Sequence, residues 1–154
     1  MRERGSLSLS IPWKDTISYG TRPPRKMNDE TIGEIRLIES DDDRWWESSI
    51  DRGDRRIIVK MAGEESPEQL ILSKVKSFTS DIDDFLSEVQ NFLSVEASKD
   101  PNNRDDIMNL TVESVHFFWP DKPSFAEIIF GGASDDLWSC GYDKGMLFNL
   151  SVSG

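Results

Sequence analysis

The chain has 154 residues, a formal charge of -11 and 36% apolar residues, including five tryptophans and eight phenylalanines. A chain of this length fits one domain, and its large aromatic side chains supply enough apolar surface for a core, which excludes disorder throughout. One histidine and one cysteine exclude an internal disulfide and leave no spaced set of metal ligands or nucleophiles.

The sequence shows no signal for export or for membrane insertion. Its first ten residues lack the apolar stretch of a secretory signal, and nowhere do 18 apolar residues run together. A single cysteine also fits a reducing compartment. We therefore expect a soluble, cytoplasmic protein that has no contact with a membrane.

The chain divides by charge into a basic arm, residues 1–31, and one acidic domain, residues 32–154. Residues 1–26 carry six basic and two acidic side chains, whereas the remainder carries 12 basic and 27 acidic ones. Pro23 and Pro24 favour an extended path through the arm. An acidic body would repel phosphate groups, so the pattern disfavours nucleic acid and favours an arm that lies over the domain.

Three strands are predicted at the start of the domain. Residues 33–38, 44–50 and 55–61 are rich in apolar residues that alternate with polar ones, and polar turns separate them. Short turns between consecutive strands predict an antiparallel meander.

The clearest periodic signal predicts one long helix from Pro67 to about Glu96. Ser66 supplies an N-cap, and the charges around Ser80 predict a kink near Thr79. The heptad spacing leaves a homodimer through this helix open, but a helix lying on a sheet shows the same pattern and is favoured. Apolar residues recur at steps of four and three at Ile71, Val75, Phe78, Ile82, Phe85, Val89 and Phe92.

Four further strands are predicted after a polar loop at residues 99–106. They cover residues 110–119, 125–130, 137–142 and 146–152, which are rich in aromatic and branched side chains. In the last of them, alternation predicts that Met146, Phe148, Leu150 and Val152 face the core. The order β-β-β-α-β-β-β-β predicts an α+β domain in which about seven mostly antiparallel strands are covered on one face by a long, kinked helix.

His116 and Cys140 are the two side chains best suited to chemistry. Alternation places His116 opposite Val115 and Phe117, on the less buried face of its strand, where a structural role is favoured over a catalytic one. Cys140 has no basic neighbour that would lower its pKa, which favours a buried structural thiol.

Clusters of carboxylates occur along the whole chain without the spacing of a known site. The run from Asp100 places Asp105 where a calcium loop requires glycine, and Thr111 where it requires glutamate. Gly131 and Gly132 precede no helix, so a phosphate-binding loop is not indicated. We therefore predict no metal, no cofactor and no catalytic residue.

Trp45 and Trp46 form the most suggestive pair for binding. Neighbouring residues of a strand point to opposite faces, so one tryptophan enters the core and the other lies outside unless Trp13 or Pro23–Pro24 covers it. An exposed tryptophan inside an acidic rim is typical of a protein-binding hot spot. The candidate binding residues are Asp41, Asp42, Asp43, Trp45, Trp46, Asp135 and Asp136.

The layout of an acidic body, a helix on an antiparallel sheet, Phe118-Trp-Pro120 and Asp136-Leu-Trp138 resembles small bacterial α+β domains. Some of those domains are thought to be immunity proteins of toxin systems. The resemblance covers about residues 32–152 and includes no diagnostic motif. It implies an acidic surface that captures a cationic toxin and blocks its active site.

Two classes of function follow from these observations. The favoured one is a non-catalytic domain that binds a basic protein through its negative surface, as an immunity protein does. The alternative is a carboxylate-based hydrolase or a metal-binding enzyme of unknown substrate, since any two of 29 acidic side chains can face each other across a cleft. A concave pocket with convergent carboxylates would favour the alternative.

Overall fold

One sheet of eight strands organises the computed structural model, which describes residues 25–153. The strands are β1 (Lys26–Asp29), β2 (Gly33–Glu39), β3 (Arg44–Arg52), β4 (Arg55–Met61), β5 (Thr111–Phe117), β6 (Phe125–Gly131), β7 (Leu137–Asp143) and β8 (Met146–Ser153). Three helices, α1 (Gln69–Ser80), α2 (Ile82–Lys99) and α3 (Arg104–Met108), lie between β4 and β5 in the chain.

The strands stand in the sheet in the same order as in the chain. Every neighbouring pair is antiparallel except β4 and β5, which are parallel. A parallel pair needs a long crossover connection, and the helical segment supplies it. The α+β class and the mostly antiparallel sheet are confirmed, whereas the predicted element order is wrong: four strands, not three, precede the helices, and there are three helices.

The additional strand, β1, falls inside the predicted N-terminal arm. It has only four residues and pairs with β2 from Lys26 opposite Arg36 to Asp29 opposite Gly33. Four residues with a single large apolar side chain, Met27, give no periodic signal, so only the neighbouring strand makes this segment recognisable as a strand. The rest of the arm, residues 1–24, lies outside the described residues, and the boundary at residue 31 stays a prediction.

The predicted single long helix is also wrong, because the helix is interrupted at Asp81 and forms two helices, α1 and α2. The Asp81 N–H bonds to the carbonyl groups of Ser77 and Phe78 at 3.0 and 3.2 Å, which closes α1, and its own carbonyl accepts the first bond of α2. The break lies two residues beyond Thr79, where a kink was predicted. None of the helices within residues 25–153 combines the length and the apolarity needed to cross a bilayer.

The start of α1 differs from the prediction as well. Glu68, not Ser66, is the N-cap, and its carboxylate accepts a bond of 3.1 Å from the Leu70 N–H. A carboxylate at this position also interacts favourably with the helix dipole. Five residues of α3 with one buried side chain, Ile107, form a helix that was predicted as loop.

The apolar stripe of the helices forms the core together with one face of the sheet. The stripe residues of both helices are buried, as predicted, except Phe92, which is half-buried. All of them belong to one apolar cluster with the inward-facing side chains of the strands. The strand residues at its centre, each almost inaccessible to solvent, are Ile35, Trp46, Val59, Met61, Val115, Ala126 and Ile128.

The predicted core face of β8 is wrong in its first half, and in its second half only Leu150 reaches the core. Met146 is 71% exposed and Phe148 37% exposed, whereas Leu147 and Leu150 pack against the core. Val152 lies on the helix side but is 46% exposed. The register between β7 and β8 shifts between Ser139 and Gly141, and Asn149 adopts a positive φ of 57° opposite this shift. A bulge of this kind reverses the alternation along the strand, which a period-two pattern cannot show.

Asp29 fastens the short strand β1 to helix α1. Its carboxylate lies 2.9 Å from the Lys76 Nζ and accepts bonds from the backbone N–H groups of Thr31 and Ile32 at 2.8 and 3.2 Å. The bond to Lys76 is the largest of the effects that lower the pKa of Asp29, and burial opposes them.

Removing this carboxylate should destabilise the domain in proportion to the bonds that are lost. We expect Asp29→Ala to cost on the order of 1 to 2 kcal/mol in urea unfolding at pH 7, and Asp29→Asn less, since an amide oxygen can still accept from Thr31. A lowered pKa in the folded state contributes stability above the ordinary pKa, and this stability is lost as the pH falls through the folded value. The difference between wild type and Asp29→Asn should therefore disappear in acid. An equal difference at pH 7 and pH 3 would contradict this account.

Candidate functional site

The candidate binding residues chosen from sequence do not form one site. Asp41–Asp43 occupy the turn between β2 and β3, and Asp135–Asp136 precede β7. The strand directions set these turns at opposite ends of the sheet. A partner that contacts both must therefore span the length of a strand.

Trp46 is a core residue and is not part of any surface. Its side chain is 0% exposed, because it lies on the face of β3 that the helices cover. Trp45 lies on the opposite face, as alternation requires, and is half-buried. Its Nε1 donates to the Glu47 carboxylate at 3.1 Å, and the Lys60 Nζ lies 4.8 Å from the ring centroid. Of the pair, only Trp45 can contact a partner; Trp13 and Pro23–Pro24, its predicted cover, lie outside the described residues.

A cleft of about 500 Å³ lies beside the junction of α1 and α2. The helices contribute one wall, and the ends of β5 and β7 with the turns that follow contribute the other. Its volume is in the range of sites that hold small molecules or single side chains. The residues that line it are Lys74, Ser77, Phe78, Asp81, Asp84, Phe85, Glu88, Phe117, Ser124, Tyr142, Lys144 and Gly145.

Aromatic rings form the floor of this cleft. Phe78 packs edge-on against Phe85, Phe117 and Tyr142, with ring centroids 4.7, 5.6 and 6.1 Å apart. Phe85 in turn meets Tyr142 at 5.2 Å. Edge-to-face packing is the geometry that aromatic pairs prefer. The break at Asp81 allows Phe78 and Phe85, from two helices, to meet the same strand residue.

Carboxylates form the rim on the helix side. Asp81, Asp84 and Glu88 follow the spacing of one helix face and are exposed. Burial raises the pKa of Tyr142, and the negative charges of Asp81 and Glu88 raise it further. These two carboxylates therefore make the electrostatic potential at the Tyr142 hydroxyl more negative. Lys74 and Lys144 also line the cleft, yet no ion pair joins these five side chains among the described residues.

This arrangement suits a cationic side chain better than a neutral or an anionic ligand. A guanidinium or ammonium group can approach the three carboxylates while its aliphatic stem lies over the aromatic floor. The charges around Ser80 that predicted a kink include Asp81 and Asp84, and no role in binding was predicted for them. The spacing of Asp81, Asp84 and Glu88 on one helix face is a signal, but the strands that complete the cleft lie far away in sequence.

A second polar arrangement crosses the uncovered face of the sheet. Paired residues of successive strands form one row there: Arg36, Glu47, Lys60, His116 and Glu127. As predicted, His116 lies opposite the buried Val115 and Phe117. Oppositely charged neighbours across strands stabilise a sheet and balance its charge on a face that helices leave open.

Ser114, His116 and Glu127 approach the geometry of a catalytic triad without reaching it. The Ser114 Oγ lies 3.0 Å from the His116 Nε2, but the nearest Glu127 oxygen is 3.9 Å from Nδ1, which is too far for a hydrogen bond. Ser114 pairs with both neighbouring strands, whereas the register shift beside it leaves Glu113 without a partner in β6. The arrangement holds a serine hydroxyl on an imidazole that Glu127 does not orient through a hydrogen bond.

Cys140 and the acidic clusters add no chemistry. Cys140 is a buried thiol, and burial, followed by the carboxylates of Glu127 and Glu96, raises its pKa to about 12. A thiol with this pKa is protonated at neutral pH and is a poor nucleophile. Within residues 25–153 no three side chains of histidine, cysteine, aspartate or glutamate converge closely enough to hold a metal ion.

His116 is the single histidine of the chain, so its pKa can be measured by NMR without overlap from other imidazoles. Burial, and after it the charge of Lys60, lowers the pKa of His116 from 6.5 to about 4. We expect the imidazole resonances in an NMR titration to shift only well below pH 5. Lys60→Gln should raise this pKa, and Lys60→Arg, the matched control, should not.

The same pKa has a consequence for stability. On acidification, His116 takes up a proton near pH 6.5 in the unfolded chain but only near pH 4 in the folded one. As the pH falls from 6.5 to 4, the free energy of unfolding should therefore decrease, by at most on the order of 3 kcal/mol. Urea unfolding at several pH values checks this. A titration of His116 at or above pH 6.5 would show instead that Glu127 holds an imidazolium.

No family model, no curated protein and no solved structure matches the chain. The assignment of a function therefore rests on the cleft, the polar row and the distribution of charge over the described residues.

Proposed function

We propose that this chain is a non-catalytic domain that binds a basic protein, and that a cationic side chain of the partner enters the cleft between the helix junction and the ends of β5 and β7. The observation that carries the proposal is the aromatic floor beneath three carboxylates that have no ion-pair partner among residues 25–153. A cleft of this kind accepts positive charge with an apolar stem.

The overall charge supports the same partner. Residues 27–154 carry 27 acidic and 12 basic side chains, so a basic protein is attracted from a distance and its association is accelerated. The exposed Asp41–Asp43 turn lies at the same end of the sheet as the cleft, about 20 Å away across four strand spacings. The turn contributes attraction, and the cleft contributes the specific contact.

The partner we propose is a toxin or another basic enzyme, as the resemblance to immunity proteins implies. An inhibitor of this type acts by covering an active site, and it needs no catalytic group of its own. We place the complex in the cytoplasm, which remains a prediction from the sequence.

The alternative, a carboxylate-based hydrolase, receives support from the same cleft, because Asp81, Asp84 and Glu88 all line it. Such an enzyme would bind a small substrate in the cleft and would retain no basic protein. The two proposals therefore differ in what the purified chain captures.

Neutralising the cleft should abolish capture of the partner. We expect the purified chain to retain a near-stoichiometric basic protein from lysate of its source at low salt and to release it at high salt. Asp81→Asn/Asp84→Asn/Glu88→Gln should weaken binding of that protein, once purified, by about tenfold or more in calorimetry. The matched control, Asp41→Asn/Asp42→Asn/Asp43→Asn, removes the same three charges from the distant turn and should slow association with a smaller loss of affinity.

Two results would contradict this proposal. If the control variant loses affinity while the cleft variant does not, the acidic turn is the binding site and the assignment to the cleft is wrong. If the chain retains no basic protein at either salt concentration, the binding function itself fails and the hydrolase becomes the better explanation.

A further inference from the structure

Strand β8 is an edge of the sheet that carries no charge. All eight residues from Met146 to Ser153 are uncharged, although 31% of the chain is charged, and none is proline. The opposite edge, β1, has four residues, two of which, Lys26 and Asp29, are charged. Short, charged edges resist pairing with another chain, and long, uncharged edges favour it.

Apolar side chains surround this edge on the face that the helices leave open. Met146 is 71% exposed, and Leu137 beside the other end of β8 is 50% exposed. Phe148 fills the space above Gly141, where a Cβ atom would collide with its ring. Consecutive ring contacts, with centroids 4.7 to 6.4 Å apart, continue the patch inward through Phe125, Trp119, Phe118 and His116.

We propose that β8 is the interface for a second copy of this chain, and that two β8 strands pair antiparallel about a two-fold axis at their centres. This inference does not rest on the proposed function, although Lys144 and Gly145, in the turn before β8, also line the cleft. Pairing over the full strand places Met146 opposite Ser153 of the second copy, and Leu147 opposite Val152 of the second copy. The two sheets then form one continuous sheet.

The bulge at Asn149 makes this register consistent. Full-length pairing joins even-numbered with odd-numbered residues, which face opposite sides of a regular strand. The bulge reverses the alternation in the middle of β8, so that Leu147 and Val152 both face the helix side, and Phe148 and Ser151 both face the open side. In this register Leu147 of one copy meets Val152 of the other on the helix side, and Phe148 meets Ser151 on the open side.

Charges near the two ends of β8 favour one register of the pair. Lys144 lies in the turn before β8, and Asp136 precedes β7 beside the far end of β8. Antiparallel pairing sets Lys144 of one copy two strand spacings, about 10 Å, from Asp136 of the other, a distance comparable to the Debye length. The contact occurs twice by symmetry. Asp143 and Asp135 lie beside these two residues and offset part of the attraction, so the backbone pairing and the apolar contacts must overcome the repulsion between two chains of charge -11 each.

Sedimentation equilibrium of the full chain tests the interface. We expect a reversible dimer that strengthens with salt, since salt screens the overall repulsion. Met146→Lys/Val152→Lys should weaken it by about tenfold or more. The matched control, Leu70→Lys/Val95→Lys, makes the same change at side chains 59% and 52% exposed on α1 and α2, and should leave the dimer unchanged. A chain that stays monomeric at high concentration and high salt, or a dimer that only the helix variant weakens, would overturn the proposal.

Charge exchange and crosslinking test the register. Lys144→Glu and Asp136→Lys should each weaken the dimer, and the double variant should recover part of the loss; Lys122→Glu, an equal charge change on another exposed loop, should have a smaller effect. A mixture of Met146→Cys and Ser153→Cys chains should form a disulfide-linked heterodimer, because these residues face each other. Each variant alone should not, since its two cysteines lie about 20 Å or more apart. A crosslink in either unmixed variant would show a different register and contradict the proposed pairing.

Discussion

One constraint governs this fold: the apolar stripe shared by α1 and α2 must be buried, and a single face of the sheet is available to bury it. Each isoleucine, phenylalanine or valine of the stripe contributes about 1.5 to 3 kcal/mol by leaving water. Because both helices cover the same face, the other face meets solvent with the charged row through His116 and with a patch of rings. The apolar stripe continues from α1 to α2 across the interruption at Asp81, and the cleft lies beside this junction, between the helices and the strand ends.

The sequence predicted those elements whose signal is local. Seven strands and the buried stripe agree with the structure to within a few residues, because alternation and helical spacing determine them without reference to neighbours. Strand β1 was missed because it depends on pairing with β2, and the break at Asp81 was misplaced by two residues because local charge does not determine where the helix axis changes. Which residues of β8 face the core could not be predicted either, because the bulge at Asn149 forms only where β8 pairs with β7. The cleft failed for the same reason: its two walls are separated by some thirty residues or more of chain.

The surface of the molecule is divided chemically as well as geometrically. Carboxylates gather at the cleft and at the Asp41–Asp43 turn, whereas the eight residues of β8 carry none. Charged and uncharged surfaces select different contacts, because the first acts at a distance and depends on salt, and the second acts only when water is excluded. The two proposed contacts therefore use chemically different surfaces, which adjoin at Lys144 and Gly145 in the turn before β8.

The single parallel ladder between β4 and β5 has a consequence for how the chain folds. Strands β1 to β4 and strands β5 to β8 are two antiparallel meanders, each made of contacts between neighbours in sequence. Only the β4–β5 pairing joins them, and it closes a loop that contains all three helices. Such a closure costs chain entropy before it is rewarded, so we expect the β4–β5 pairing to form late and to limit the folding rate. Synthesis delivers the first meander and the helices before the strand that completes them, and the apolar stripe waits for its full cover until the last strands emerge.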